Sequence, residues 1–195
     1  MERRLRPPLD EAGARALRAG DSVVVDGPVY GIRDATLVRI VDEGREPPVD
    51  LRGAVLLHTA PNVAREAGGR YRALSVGTTT SMRMDRFTRP LLARYGVRAI
   101  IGKGGLSPES LAALGEHGAV YLAITGGAAA LQTTQIAAIE AVWWEDLMPE
   151  CLWRFRVEGL GPLIVGMDAH GGDLYGDVLA EAQRRLAAIH ARLGL

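Results

Sequence analysis

Residues 75–87, SVGTTTSMRMDRF, set three threonines and a serine after a glycine and place an arginine two residues beyond the serine. Patterning predicts a strand ending at ALSV and a helix over MRMDRFTRPLLARYG. GTTTS then feeds a helix N-terminus, where unpaired backbone N–H groups attract anions. Arg83 is a cation in the first turn of that helix, where it opposes the macrodipole. A solvated surface arginine tolerates this at small cost, whereas a bound anion would reward it. A second strand end carries GKGG with Lys103. In open parallel sheets, ligands bind beyond the carboxyl ends of the strands. One helix plus one strand separates Arg83 from Lys103, which puts both at the same edge. Thr79, Arg83 and Lys103 are therefore expected to converge, and two cations with a hydroxyl between them suit a small dicarboxylate or a phosphate. The competing expectation is that Arg83 and Lys103 are solvated charges near helix starts.

The elements that must position these residues follow from periodicity. DSVVVDG (21–27) reads as a strand ending in a turn, IRDATLVRIVDEG (32–44) as a helix and GAVLLHTAP (53–61) as a buried strand. RALSVG, RMDRFTRPLLARYG, VRAIIGKGG, SPESLAALGEHG and AVYLAI then alternate strand and helix, predicting two successive βαβ units and a parallel sheet. Ser107 and Pro108 suit N-cap and N1 of the second helix, and Gly96 and Gly118 suit the two helix ends. Beyond them, GGAAALQTTQI reads as a loop and short helix, and AAIEAVWWEDL, CLWRFRVEGL and GPLIVGMD as strands. A C-terminal helix over about 177–193 is expected to expose one face. No repeat or linker divides the chain, so residues 1–195 read as one α/β domain.

Other features are weaker. GKGGLS lacks the P-loop order, because Lys103 precedes the paired glycines, and TGGAAAL lacks G-x-G-x-x-G spacing. The histidines at 58, 117, 170 and 190 form no metal-binding pair. His58 suits either a cleft-facing role or a hydrogen-bonded structural one. DAHGGDLYGD, with Asp168, His170, Asp173 and Asp177, does not match a calcium loop and reads as a turn. Trp143, Trp144 and Trp153 suit packing in the core or at an interface.

Composition narrows the function classes. Of 195 residues 48% are hydrophobic, enough for one sizeable core, and 23 basic residues balance 23 acidic ones. No bulk field argues for nucleic acid or an anionic membrane, so an anion site must be local. The apolar runs are too short to span a bilayer and no signal-peptide segment is seen, so a cytoplasmic protein is expected. A single cysteine, Cys151, excludes an internal disulfide and cannot alone hold zinc or an iron–sulfur cluster.

The motifs AGDSVVVDGPVYGIRDA, SVGTTTSMRMD, GKGG and MPECLWRFRVEGLGPLIVGMDAHG, in this order, resemble the β subunit, or C-terminal domain, of the iron–sulfur class I fumarate hydratase and L-tartrate dehydratase family. The resemblance runs from about residue 18 to 175. It implies a swivelling β/β/α domain and reversible addition of water to a four-carbon unsaturated dicarboxylate (fumarate/malate or tartrate/oxaloacetate). It also implies a [4Fe–4S] cluster held by three cysteines of an α partner, its open iron serving as Lewis acid. No metal would bind to this chain, which would supply substrate-binding and proton-transfer residues within a hetero-oligomer. Carried over by motif, Arg33, Arg83 and Lys103 become substrate-binding, and Thr79, proposed as base, joins Arg83 and Lys103 as catalytic. The chain departs from the family pattern at Thr78, usually proline, and in HTAP, usually HAGP, which includes Ala60. Rival readings are a hydratase subunit for a methylated dicarboxylate such as mesaconate, and a non-catalytic dicarboxylate-binding or assembly subunit.

Overall fold

A computed structural model describes residues 2–194. The main sheet has seven strands in the order β1-β2-β3-β6-β7-β9-β8. These are β1 (Arg3–Leu5), β2 (Ser22–Ile32), β3 (Val55–His58), β6 (Ala99–Gly102), β7 (Val120–Ala123), β8 (Ile136–Trp143) and β9 (Leu152–Met167); β4 (Asn62–Arg65) and β5 (Tyr71–Ser75) form a separate hairpin. The pairs β1–β2, β2–β3, β3–β6 and β6–β7 are parallel. β9 runs antiparallel to β7, β8 and β2, so that β2, β3, β6, β7 and β9 close into a ring.

The central parallel strands β3, β6 and β7 are apolar but for His58 at the end of β3, because both their faces are covered. Val55, Leu57, Ala99, Ile101, Val120 and Leu122 enter one core with Trp153 and Phe155 of β9. The alternate residues Leu56, Ile100 and Tyr121 enter a second core. A short helix, α1 (Glu11–Arg15), precedes β2, and the outer core is roofed by α2 (Asp34–Val41), α3 (Thr88–Tyr95) and α4 (Pro108–His117) through Leu37, Ile40, Leu91, Leu92, Ala113 and Leu114. At α4 the caps match expectation: Ser107 accepts the Ser110 amide, Pro108 opens the helix, and Gly118 is left-handed. Gly96 likewise ends α3 in the left-handed region.

Several elements differ from expectation. The strand at RALSV pairs with β4 in the hairpin, and β3 is the strand that precedes β6 in the parallel sheet. β2 does not turn at Gly27 but runs on to Ile32, Gly27 holding φ at 105°. CLWRFRVEGL and GPLIVGMD are one strand. Between Val157 and Leu160, and again between Leu160 and Leu163, β9 advances one residue more than β2 does, so its Gly and Pro residues sit in β-bulges rather than a turn.

The helix predicted over MRMDRFTRPLLARYG is a 3-10 segment, Ser81–Phe87, followed by α3. Its buried residues Ser81, Met84 and Phe87 recur every third position, as a 3-10 face requires. Pro90 has no N–H for the carbonyl of Arg86, so α-helical bonding cannot run through this junction. After a short helix, α5 (Ala129–Thr134), and after β8 and β9, comes α6 (Leu174–Leu193), three residues earlier than expected and with no buried residue on any face. Among the described residues no helix is long and apolar enough to cross a membrane.

Candidate active site

The GTTTS loop is threaded between the ends of β3 and β6. Thr78 bridges Thr59, and the Thr79 amide donates to the His58 carbonyl at 2.9 Å. Thr80 bridges Lys103, and the Ser81 amide donates to the Lys103 carbonyl at 2.9 Å. The Thr59 hydroxyl donates to the Gly77 carbonyl at 2.8 Å. Two strand ends thus become neighbours through the loop itself. Thr79 is half-buried, Thr80 exposed and Ser81 buried. Lys103 is half-buried, its stem alongside Gly126, and has no ion-pair partner among the described residues. The Thr78 hydroxyl is buried with no hydrogen-bond partner.

Arg33 and Arg83 meet on one carboxylate. Asp34, in the first turn of α2, accepts from Arg33 Nε at 3.0 Å and from Arg83 at 3.1 Å. Arg33 Nε is also 3.2 Å from a carboxylate oxygen of Glu150, whose other oxygen accepts the Ala35 amide at 2.8 Å. Thr36 donates to the Glu150 carbonyl. Burial opposes the charge of Asp34, but the Arg33 hydrogen bond, its own amide and the Arg83 charge outweigh it and lower its pKa. The charge that Arg83 meets at the start of its 3-10 segment is therefore Asp34, and the unfavourable position read from the sequence is answered within the chain. Asp85 fixes the same segment to α4, accepting from the Ser107 amide at 2.8 Å and from the Ser107 and Ser110 hydroxyls at 2.7 Å.

Of the predicted residues the structure joins Arg33 with Arg83 directly, through Asp34; Thr79 bonds the end of β3 at His58, and Lys103 bonds the loop one and two residues further on, at Thr80 and Ser81. His58 is buried, with Nδ1 2.9 Å from Ser81 Oγ, and burial pushes its pKa down to about 4 against a small opposing effect of the Asp34 charge. Sequence reasoning missed Asp34, Glu150, Ser81 and Tyr121. Asp34 had a readable signal, an acid directly after Arg33 at a helix start.

The donor chemistry does not fit an iron–sulfur cluster on this chain. Cys151 is buried with its thiol pushed up to about 11, by burial first, and its sulfur faces that of Met148 at 3.8 Å. Among the described residues no three His, Cys, Asp or Glu side chains are grouped to hold a metal ion. The Asp168 segment is a turn, its carboxylate accepting the amides of Ala19, His170 and Gly172.

A sequence profile described as Fumarase C-terminus matches residues 4–178. The L(+)-tartrate dehydratase subunit beta of Escherichia coli strain K12 is 37% identical over 175 residues, covering 89% of this chain and 87% of that protein. The same-named protein of Shigella boydii serotype 4 is 36% identical over the same coverage. A Geobacillus stearothermophilus protein named "Putative fumarate hydratase class I" is 36% identical over 187 residues, 94% of this chain but 35% of that longer protein. With these relatives and these strand-end residues, the chain belongs to the Fumarase C-terminus family, as a β-subunit-type member among hydro-lyases.

Proposed function

We propose that this chain is the substrate-gripping β subunit of a two-subunit hydro-lyase that adds water to, or removes it from, a four-carbon dicarboxylate of the tartrate or fumarate/malate type. The observation that supports the reading is the loop threaded between two strand ends, which bonds Thr79 to the end of β3 and Thr80 and Ser81 to Lys103, while Arg33 and Arg83 meet on Asp34. Arg33 spends Nε on Asp34, so its terminal nitrogens remain for a carboxylate in a two-point contact. Arg83 and the Lys103 ammonium supply the charges for the other end of a dicarboxylate. A threonine hydroxyl is a poor base in water. At Thr79 these two cations would stabilise the alkoxide, which is the form that accepts a proton and returns to the hydroxyl. The family resemblance assigns a [4Fe–4S] Lewis acid to an α partner in a cytoplasmic hetero-oligomer, and Cys151 fits no such role.

The test is reconstitution. The isolated chain should be colourless and without hydratase activity, and anaerobic mixing with the α partner should bring turnover of tartrate, fumarate or malate. Including mesaconate tests the methylated-substrate rival, and dicarboxylate binding without turnover by the pair would favour a non-catalytic subunit. Activity of the isolated, metal-free chain would overturn the subunit reading.

A further inference from the structure

Beneath the threaded loop lies a hydrogen-bonded chain that makes no part of the carboxylate clamp. Ser81 Oγ is 2.9 Å from Tyr121 OH and 2.9 Å from His58 Nδ1, and all three side chains are buried. Burial raises the Tyr121 phenol, despite the Ser81 hydrogen bond, and keeps it a neutral donor. With Tyr121 donating to Ser81, the serine oxygen has room both to donate to an unprotonated His58 Nδ1 and to accept from Nδ1–H, so either imidazole tautomer keeps the chain bonded. The three residues come from three elements: the last position of β3, the first of the 3-10 segment and the middle of β7.

Between them passes the end of β6, which has been left without a side chain. A Cβ on Gly102 would stand 1.8 Å from Ser81 Oγ and 2.7 Å from Tyr121 OH. The glycine before Lys103 is therefore required by the space the chain occupies. The backbones of the same residues hold the site: the His58 carbonyl takes the Thr79 amide, and the Ser81 amide binds the Lys103 carbonyl. Apolar side chains of similar volume could fill this space at comparable stability, whereas a hydrogen-bonded chain also fixes geometry.

We propose that His58, Ser81 and Tyr121 are positioning residues for the candidate active site, fixing the Thr79 peptide against His58 and the Lys103 peptide against Ser81. The proposal rests on the function reading above. Its test has one arm that needs no turnover. In the full-length chain, Tyr121→Phe and Ser81→Ala should speed amide hydrogen exchange at Thr79 and Ser81 by about tenfold, the scale of one lost buried hydrogen bond. Exchange in β9 should stay as in the wild type. Tyr121→Phe keeps the side-chain volume and carries this arm by itself if Ser81→Ala does not fold.

In the reconstituted pair, both variants should lower kcat about tenfold with KM within about twofold. His58→Asn, which keeps a polar atom near the place of Nδ1, should retain more of kcat than His58→Leu. Unchanged loop exchange, or exchange rising equally across β9, would overturn the positioning role. So would His58→Asn proving as inactive as His58→Leu, which would make His58 a direct participant. A wild-type pair with no turnover would instead sink the function reading and leave the exchange arm to decide the network.

Discussion

On one side of the candidate site, Thr79 and Lys103 are held by backbone bridges between two buried strands, with the His58–Ser81–Tyr121 chain beneath them. On the other, Arg33 and Arg83 are held by side-chain ion pairs to Asp34 and Glu150, and the Arg83 side chain is 55% exposed. Both sides carry cations, but ordering them has different entropic costs. The threaded loop was ordered when the ring folded. An exposed arginine is ordered afresh each time it grips an anion, and its ion pair weakens with salt. The difference assigns precision to the hydroxyl and lysine side and adjustability to the guanidinium side.

The largest expected effect tests how deeply the ordered side is sealed. His58 stays neutral in the fold until about pH 4, whereas in the unfolded chain it protonates near 6.5. Between these values the unfolded chain binds the extra proton, so this contribution is fully present above pH 6.5 and is lost as pH falls to 4. The loss amounts to about 3 kcal/mol. Denaturant titrations at several pH values, compared with His58→Asn, should show the wild type losing about that much more stability on acidification. Parallel curves would mean that the histidine is solvated and the seal absent.

Next comes the chemistry of the ordered side. Thr79→Ala in the reconstituted enzyme should lower kcat about 10²-fold with little change in KM, and Thr79→Ser should keep much of the rate. Thr78→Ala and Thr80→Ala are the internal controls, and equal damage at Thr80 would remove Thr79 from the reaction. On the adjustable side, Arg83→Met should raise KM about tenfold, the loss of one charge-assisted hydrogen bond. Its deficit should shrink as salt is added. Lys103→Met should show a comparable deficit that salt leaves largely in place, and identical salt responses would erase the contrast between the two sides.

The smallest effect concerns Thr78. Its hydroxyl is buried without a partner, and in this bridge the pairing hydrogen bond comes from the neighbouring Thr79 amide. Thr78→Val, which removes the orphan oxygen at nearly constant volume, should stabilise the chain by about 1 kcal/mol in denaturant titration. Destabilisation would show that the hydroxyl is satisfied.

Much of this was legible in the residues themselves. Ser107, Pro108 and Gly118 announced α4 because caps are local chemistry, and the loop after RALSV does meet the end of β6, though through β3 and its own backbone bonds rather than through adjacent parallel strands. What failed was non-local. RALSV has the composition of a sheet strand, but its partner is β4, and no short-range signal names a partner. VEGLGP carries turn residues, and only pairing with β2 turns them into bulges inside a sixteen-residue strand. The 3-10 segment was readable in principle from the three-residue spacing of Ser81, Met84 and Phe87. Ser81 and Tyr121 were missed because their meeting depends on the side chain that Gly102 lacks.

β9 also imposes an order of events during synthesis. It is the strand that closes the ring, and it brings Trp153, Phe155, Val157, Leu160, Leu163 and Val165 to the inner core. When the chain has been made only as far as residue 150, β2, β3, β6 and β7 all exist, yet β2 and β7 each still lack the strand that pairs their open edge. Such edges recruit other strands. The site residues from Arg33 to Lys103 are therefore translated well before the sheet that must hold them can close, and the pairings that complete it, Ser22 with Ile164 and Val29 with Phe155, span most of the chain. Contacts of that separation fold slowly. A nascent chain of this kind is at its most aggregation-prone in the interval before its last strand emerges.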